Sequence, residues 1–262
     1  MNQTSGLEAI NVSKIFNTPT GELRAVDDVS ISIPKGQFVS IIGPSGCGKS
    51  TLLRMFANLE QPTSGQLNLN GMPAPQARQQ RQYAFVFQAP TLLPWKNVLK
   101  NVALPLKIKG VPKAERLATA HEMIKLVGLE GFEHQLPWQL SGGMQQRVSI
   151  ARALTVRPPV LLMDEPFGAL DEITRDRMNL ELVSLRRFDN QTVLFITHSI
   201  SEAVFLSDRV LVMSARPGKV IADITIDLPE ERTAETRQDP KFFDYVSAIR
   251  GYLVDAYNTT KV

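Results

Sequence analysis

The sequence predicts an α/β fold: a mostly parallel sheet, preceded by a small antiparallel β-subdomain and interrupted by a helical insertion. Three patterns support this prediction. Short apolar strands alternate with helices, which is typical of a parallel sheet joined by right-handed crossovers. An alternating strand near the N-terminus indicates an antiparallel sheet with one face in solvent. Between residues 89 and 159 the pattern is helical, with no strand between the helices.

The N-terminal subdomain is predicted from the stretch Val29-Ser30-Ile31-Ser32-Ile33, which places three β-branched side chains on one face and two serines on the other. An earlier apolar stretch begins near Ile10 and ends at Phe16, just before the turn-rich residues 17–21. The Phe16 ring is therefore expected near the glycine-rich loop described next. Stacking on adenine and plain core packing are both open for that ring.

A phosphate-binding loop follows the apolar strand at residues 38–42 and precedes a helix that begins at Lys49. The loop reads Gly43-Pro44-Ser45-Gly46-Cys47-Gly48-Lys49-Ser50. Its glycines let successive N–H groups point at one anion, and the helix N-terminus adds its positive dipole end. Lys49 can then reach the β- and γ-phosphates, Ser50 can bind Mg²⁺, and Thr51 lies within reach of the α-phosphate. A glycine-rich turn without a ligand is the alternative interpretation.

The remaining elements complete the sheet and its insertion. Strands are predicted at residues 66–71, 84–87, 160–163, 192–196 and 209–213. Helices are predicted at residues 98–109, 113–127, from 141 onward, 172–185, 201–206 and 241–257. We therefore divide the chain into an ATP-binding core with its β-subdomain (residues 1–88 and 160–226), a helical subdomain (89–159) and a C-terminal helical tail (227–262).

Composition narrows the function classes. The 262 residues are 43% hydrophobic and carry a net charge of +3, which is too mild an excess to indicate nucleic acid binding. The single Cys47 cannot pair within the chain, so a reducing compartment is expected. No apolar run is long enough to span a bilayer, and residues 1–6 lack the pattern of a signal peptide. We expect a cytosolic protein, or one held at a membrane by others.

Five further motifs occur in a fixed order after the loop: Gln88, the run Leu-Ser-Gly-Gly-Met-Gln-Gln-Arg at 140–147, Asp164-Glu165, Ala169-Leu170-Asp171, and His198. With them, the chain resembles the nucleotide-binding subunit of an ABC transporter over nearly its whole length. The resemblance implies a P-loop NTPase core, ATP and Mg²⁺ as cofactors, and ATP hydrolysis. The run at 140–147 is the most specific motif; a chance helix N-terminus with a serine cap is its alternative.

The resemblance also assigns roles in hydrolysis. Asp164 follows a buried strand and would hold Mg²⁺ through water, together with Ser50 and Gln88. Glu165 would act as the general base that orients the attacking water and accepts its proton. Gln88 would contact both the metal and that water. His198 would hydrogen-bond the γ-phosphate, with a satisfied core histidine as the alternative.

The segment at 140–147 has a separate implied role, across a subunit interface. Ser141 and the amides of Gly142 and Gly143 open a helix and would form a second anion site. In the family, that site caps the γ-phosphate of ATP bound to the opposite subunit, so a homodimer sharing two ATP is expected. Asp171 is also expected among the ATP-binding residues.

Two functional classes remain after these motifs. The first is the ATPase of a membrane transporter. The alternative is a soluble ABC-type ATPase that acts on nucleic acid or the ribosome, which the absence of coiled-coil heptads, a zinc-type cysteine set and a basic stripe disfavours. A small-molecule P-loop kinase would lack the run at 140–147.

Two short segments resemble one importer group more closely. Residues 89–98 and the stretch Ser214-Ala215-Arg216-Pro217-Gly218 are similar to ATPases for nitrate, sulfonate, taurine or bicarbonate import; a small heterocyclic precursor is a further candidate solute. The resemblance implies separate permease subunits, an extracytoplasmic solute-binding protein, no nucleic acid, and a peripheral location on the cytoplasmic face of the inner membrane. Trp95 is expected to contact the permease, or else to be a buried structural tryptophan.

Overall fold

The computed structural model describes residues 5–258, leaving aside the side chains of residues 184–189, 257 and 258. Its strands are β1 Ser5–Thr18, β2 Gly21–Pro34, β3 Phe38–Ile42, β4 Ser64–Leu69, β5 Met72–Pro73, β6 Tyr83–Val86, β7 Val160–Asp164, β8 Thr192–Ile196, β9 Arg209–Met213 and β10 Val220–Thr225. Its α-helices are α1 Lys49–Phe56, α2 Ala74–Gln79, α3 Val98–Val102, α4 Leu104–Ile108, α5 Lys113–Leu126, α6 Gly142–Leu154, α7 Glu172–Asp189, α8 Ile200–Leu206 and α9 Pro240–Asn258. Single 3₁₀ turns cover Pro137–Gln139 and Ala234–Gln238.

Two sheets organise these elements. The larger has the order β10-β9-β3-β8-β7-β6, and only the β10–β9 pair is antiparallel. The smaller has the order β2-β1-β4-β5 and is antiparallel throughout. Residues 89–159, all of them described, contain helices and no strand. The predicted fold class is therefore confirmed.

The four central strands of the larger sheet, β9, β3, β8 and β7, are buried almost throughout, as their continuous apolar sequence predicts. In β3, Phe38 and Ile42 pack into one hydrophobic core with the helices of the 89–159 region, whereas Val39 and Ile41 face a second core. That second core also contains α1 and the inner face of the antiparallel sheet. The alternating stretch of β2 behaves as predicted: Val29, Ile31 and Ile33 are buried and the two serines between them are exposed.

The structure corrects one predicted helix and adds the strands β5 and β10 and the short helix α2, none of which was predicted. The helix predicted at 98–109 is two short helices, α3 and α4, that meet at Ala103. Pro105 explains the break, because a proline has no N–H to donate to the carbonyl of Asn101 four residues earlier. The edge strand β10 was not predicted, since its side chains are alternately half-buried and exposed and contain no continuous apolar run.

The C-terminal region packs against the larger sheet's helices. Phe242 and Ile249 of α9 are buried, and Val246 and Leu253 pack on the same core, as the helical spacing predicts. None of the helices within residues 5–258 combines the length and the apolar character that a membrane span requires.

Candidate active site

The glycine loop between β3 and α1 has the geometry that only glycine permits at two positions. Gly46 has φ +74° and Gly48, the N-cap of α1, has φ +105°. A Cβ atom on Gly48 would lie 2.5 Å from the carbonyl oxygen of Ala25 in β2. Alanine would therefore be strained at Gly48 by its backbone angle and by a clash with a fixed backbone atom.

The Lys49 ammonium lies inside this loop. Its side chain is buried, and Nζ donates to the carbonyl oxygens of Gly43 at 2.8 Å and Pro44 at 2.9 Å. A buried lysine held by loop carbonyls is placed to exchange those acceptors for phosphate oxygens, because it requires charged or polar partners in either case.

A hydroxyl and a carboxylate meet next to the loop. Ser50 Oγ donates to Asp164 Oδ1 at 2.7 Å, joining the start of α1 to the end of β7. Asp164 is 1% exposed, and burial raises the pKa of its carboxyl group, against the hydrogen bond from Ser50. These two hard oxygen donors suit Mg²⁺, which takes few protein ligands and completes its shell with water and phosphate.

Glu165 connects two predicted site residues that come from other strands. Its Oε2 accepts from Gln88 Nε2 at 3.0 Å, and its Oε1 lies 2.6 Å from His198 Nε2. Its backbone has φ +47°, and its N–H donates to the carbonyl of Ile196 in β8. This unusual backbone angle costs conformational energy locally, and it turns the carboxylate toward the ends of β6 and β8.

These groups line a cleft of about 400 Å³ at the carboxyl ends of the parallel strands, where α/β sheets bind ligands. The cleft is lined by residues 45–51, by Gln88, Glu165 and His198, and by Phe16 and Arg216. Phe16 is half-buried, and the Lys14 ammonium lies 4.8 Å from its ring centroid. Phe16 is thus a wall of the cleft and is not in the main core.

Arg216 is a charged cleft residue that the sequence did not predict as part of the site, as is also the case for the apolar residues Leu23 and Ala25 of β2. Arg216 lies in the turn between β9 and β10, and its guanidinium donates to the carbonyl of Gly46 through Nε at 3.1 Å and Nη2 at 2.9 Å. The only sequence signal for it was its place in the 214–218 stretch, which resembles the importer group.

Gly43, Pro44 and Asp164 lie beside the cleft without lining it, and four further predicted residues lie outside it. Ser141 caps α6 by accepting from the amide of Met144 at 3.2 Å, and both Ser141 and Gly142 are exposed. Gly143 is close to the segment before α7: a Cβ there would lie 3.3 Å from the carbonyl of Ala169. Asp171 accepts from the amide of Thr174 at 2.9 Å, and this bond lowers the pKa of its carboxyl group.

Comparison with known proteins identifies the family. The sequence profile of the ABC transporter family matches residues 26–168. The chain belongs to that family. A taurine import ATP-binding protein of Rhizobium johnstonii is 48% identical over 237 residues, which are 88% of this chain and 89% of the relative. A nitrate import ATP-binding protein of Synechocystis sp. is 42% identical over 253 residues, 94% of each chain.

A solved structure supports the same identification. It is the dimeric post-hydrolysis state of an ATP-binding cassette bound to ADP and phosphate, with a TM-score of 0.78 and 35% sequence identity. The match covers 84% of this chain and 98% of the solved chain. The protein is therefore an ABC ATPase that uses ATP and Mg²⁺, and the metal when bound neutralises charge on the phosphates. The loop, Lys49 and the Ser50–Asp164 pair are chemically suited to this complex.

Proposed function

We propose that this chain is the ATP-hydrolysing subunit of an importer, in which two copies close around two ATP and drive uptake of a small solute through separate permease subunits. The observation that carries the catalytic part is the network in which Glu165 is held by Gln88 and His198 beside the phosphate loop. The import function is supported by the relatives named as taurine and nitrate import ATP-binding proteins.

In this proposal Glu165 is the general base, because within the described residues its carboxylate pairs with no lysine or arginine, and it faces the same cleft as Lys49. A carboxylate without such a cationic partner can orient a water molecule and accept its proton. Gln88 and His198 orient that carboxylate before the reaction, and His198 also contacts the γ-phosphate. Ser50 and Asp164, with Gln88, hold Mg²⁺.

The proposed homodimer is based on three predicted phosphate-binding residues that do not line the cleft of their own chain. Ser141, Gly142 and Gly143 are outside the cleft of their own chain, and apart from its sequence neighbours and its own helix backbone no described residue lies within 4 Å of the position of a Cβ on Gly142. A second copy can therefore bring this exposed helix N-terminus to the phosphates. The similar cassette that binds ADP and phosphate is dimeric, which supports the arrangement.

The proposed permease contact is centred on Trp95. This side chain is 71% exposed, so a buried structural role does not account for it. It follows Gln88 closely in the chain, on the connection between β6 and α3. A permease segment that contacts this connection would respond to the presence of the γ-phosphate through Gln88. Attachment through the permease would place the chain on the cytoplasmic face of the membrane, as a peripheral subunit.

The test is Trp95→Ala, compared with Phe243→Ala on α9 as a matched control, since Phe243 is 59% exposed. Less than a third of the Trp95 side chain is buried, so truncation should cost the isolated subunit only about 1 kcal/mol of stability. If Trp95 is an interface anchor, the same change should cost about 2 kcal/mol or more of binding to the permease.

The measurements are thermal melting and basal ATPase of the isolated subunit, co-purification with the permease, and solute-stimulated ATPase in proteoliposomes that contain the solute-binding protein. Taurine and nitrate are the first solutes to assay. We expect Trp95→Ala to lower the melting temperature by no more than about 2 °C and to keep basal activity, but to lose co-purification and stimulation. Phe243→Ala should show a similarly small change in melting temperature and retain the other three properties. Unchanged co-purification and stimulation in Trp95→Ala would refute this docking surface.

A further inference from the structure

The turn between β9 and β10, residues 214–219, lies against the outer side of the phosphate loop. Ser214 stiffens this turn: its Oγ donates to the carbonyl of Pro217 at 2.9 Å and accepts from the amide of Lys219 at 3.0 Å. Gly218 ties the turn to β2, because its N–H donates to the carbonyl of Ala25 at 3.0 Å. Hydrogen bonds of Ser214, Gly218 and Lys219 thus fix the conformation of the turn independently of its contact with the phosphate loop.

Two successive loop carbonyls meet this turn. Both Nε and Nη2 of Arg216 donate to the oxygen of Gly46. The oxygen of Cys47 lies so close to Gly218 that a Cβ there would be 2.0 Å away. A Cβ on Gly46 would be 3.0 Å from Arg216 Nη2, the end of a flexible side chain, so the left-handed φ of +74° is the stronger reason for glycine there.

The orientation of those carbonyls determines the orientation of the next amides. In a trans peptide the C=O of one residue and the N–H of the next point in opposite directions. Holding the oxygens of Gly46 and Cys47 on the outer side therefore turns the N–H groups of Cys47 and Gly48 to the other side. The Cys47 N–H donates to the carbonyl of Pro44 at 3.3 Å, the same oxygen that Lys49 Nζ contacts.

We propose that the 214–219 turn is an outer clamp on the phosphate loop, and that Arg216 is a positioning residue which holds the loop amides in their phosphate-binding orientation. Glycine is the most flexible residue, so a loop with two left-handed glycines has alternatives that a bound phosphate must otherwise exclude. The clamp restricts the loop before the nucleotide binds, and so reduces the conformational entropy that the loop loses on binding. Because the loop cradles phosphates that ATP and ADP share, the clamp should strengthen the binding of both.

The experiment measures the affinity of the purified full-length chain for a fluorescent ATP analogue and the matching ADP analogue, with thermal melting in the absence of nucleotide. We expect Arg216→Ala to weaken both affinities about tenfold, the scale of a lost hydrogen bond to a charged group, with the melting temperature nearly unchanged because Arg216 is exposed. Lys219→Ala is the matched control: it removes a cation from the same turn that pairs with Asp27 at 3.0 Å. Its affinities should stay within about twofold of wild type.

Arg216→Lys separates positioning from charge. A lysine keeps the positive charge but cannot form the double contact to one carbonyl, so only part of the lost affinity should return. Full recovery with lysine would mean that charge alone acts, and it would overturn the proposal. So would wild-type affinities in Arg216→Ala, or a loss confined to ATP, which would make Arg216 a direct γ-phosphate ligand.

Discussion

Replacing Asp164 by asparagine should stabilise the protein while it abolishes hydrolysis. Asp164 is 1% exposed at the end of β7 and accepts from Ser50 Oγ at 2.7 Å. An asparagine has nearly the same shape and keeps an oxygen that can accept the serine proton. What the substitution removes is the buried negative charge, which the proposed site uses only when Mg²⁺ is bound.

The sign of the effect follows from the pKa of Asp164, which burial raises above its ordinary value of 3.8. The folded state therefore holds this proton more tightly than the unfolded state. The wild-type protein loses stability as the pH rises from about 4 through the folded pKa, and the asparagine variant does not. At pH 8 the variant should be more stable by about 1 to 3 kcal/mol, the usual scale of the desolvation cost of a buried polar group.

The assay is thermal denaturation between pH 5 and pH 8 without nucleotide or Mg²⁺, with ATPase activity measured in parallel. For a chain of this size the melting temperature at pH 8 should rise by roughly 2 to 6 °C. Asp171→Asn is the control, because Asp171 is an exposed helix cap and asparagine also caps helices well. The pKa of Asp171 is lowered in the folded protein, so loss of its charge should leave the melting temperature at pH 8 equal to or slightly below that of wild type. A lower melting temperature for Asp164→Asn at pH 8 would refute the reasoning.

Three other substitutions test two residues of the site and one buried carboxylate in α8. Lys49→Ala should abolish ATPase activity by removing the buried ammonium from the loop; ATPase activity at the wild-type level would show that the loop is not the phosphate site. Glu165→Gln should keep nucleotide binding but lose hydrolysis by roughly a hundredfold or more, and ATP should convert it to a dimer, measured by light scattering. A variant that hydrolyses ATP normally would exclude Glu165 as the base. Glu202 is buried in α8, where burial raises its pKa; its charged form therefore lowers stability as the pH rises, and Glu202→Gln should flatten the pH dependence of the melt between pH 5 and 8. An unchanged slope would contradict that assignment.

Local chemistry was sufficient for the elements whose pattern is self-contained. The loop from Gly43 to Ser50 needs only its glycines, its lysine and the flanking strand and helix, all within one stretch of sequence. Burial was likewise predictable from the local sequence for the alternating residues of β2 and for the apolar runs of β3, β7, β8 and β9. The helix break at Pro105 could also have been predicted, since proline cannot continue the hydrogen bonding of a helix. It was not predicted because the apolar residues on both sides keep a helical spacing.

The tertiary structure decided which residues act together. Three parallel strands end at one edge of the sheet, and this brings Asp164, Gln88 and His198 to the loop. Their separations along the sequence do not indicate how far apart they lie in space. The contact of Arg216 with Gly46 joins residues 170 positions apart, and it depends on β10, an edge strand whose half-exposed side chains leave almost no pattern. The exposure of Trp95 depends equally on what packs around it. The sequence alone determines a local conformation when the conformational energy depends mainly on the residue's own backbone and side chain. When that energy depends on partners far away in the sequence, the conformation can be read only from the folded chain.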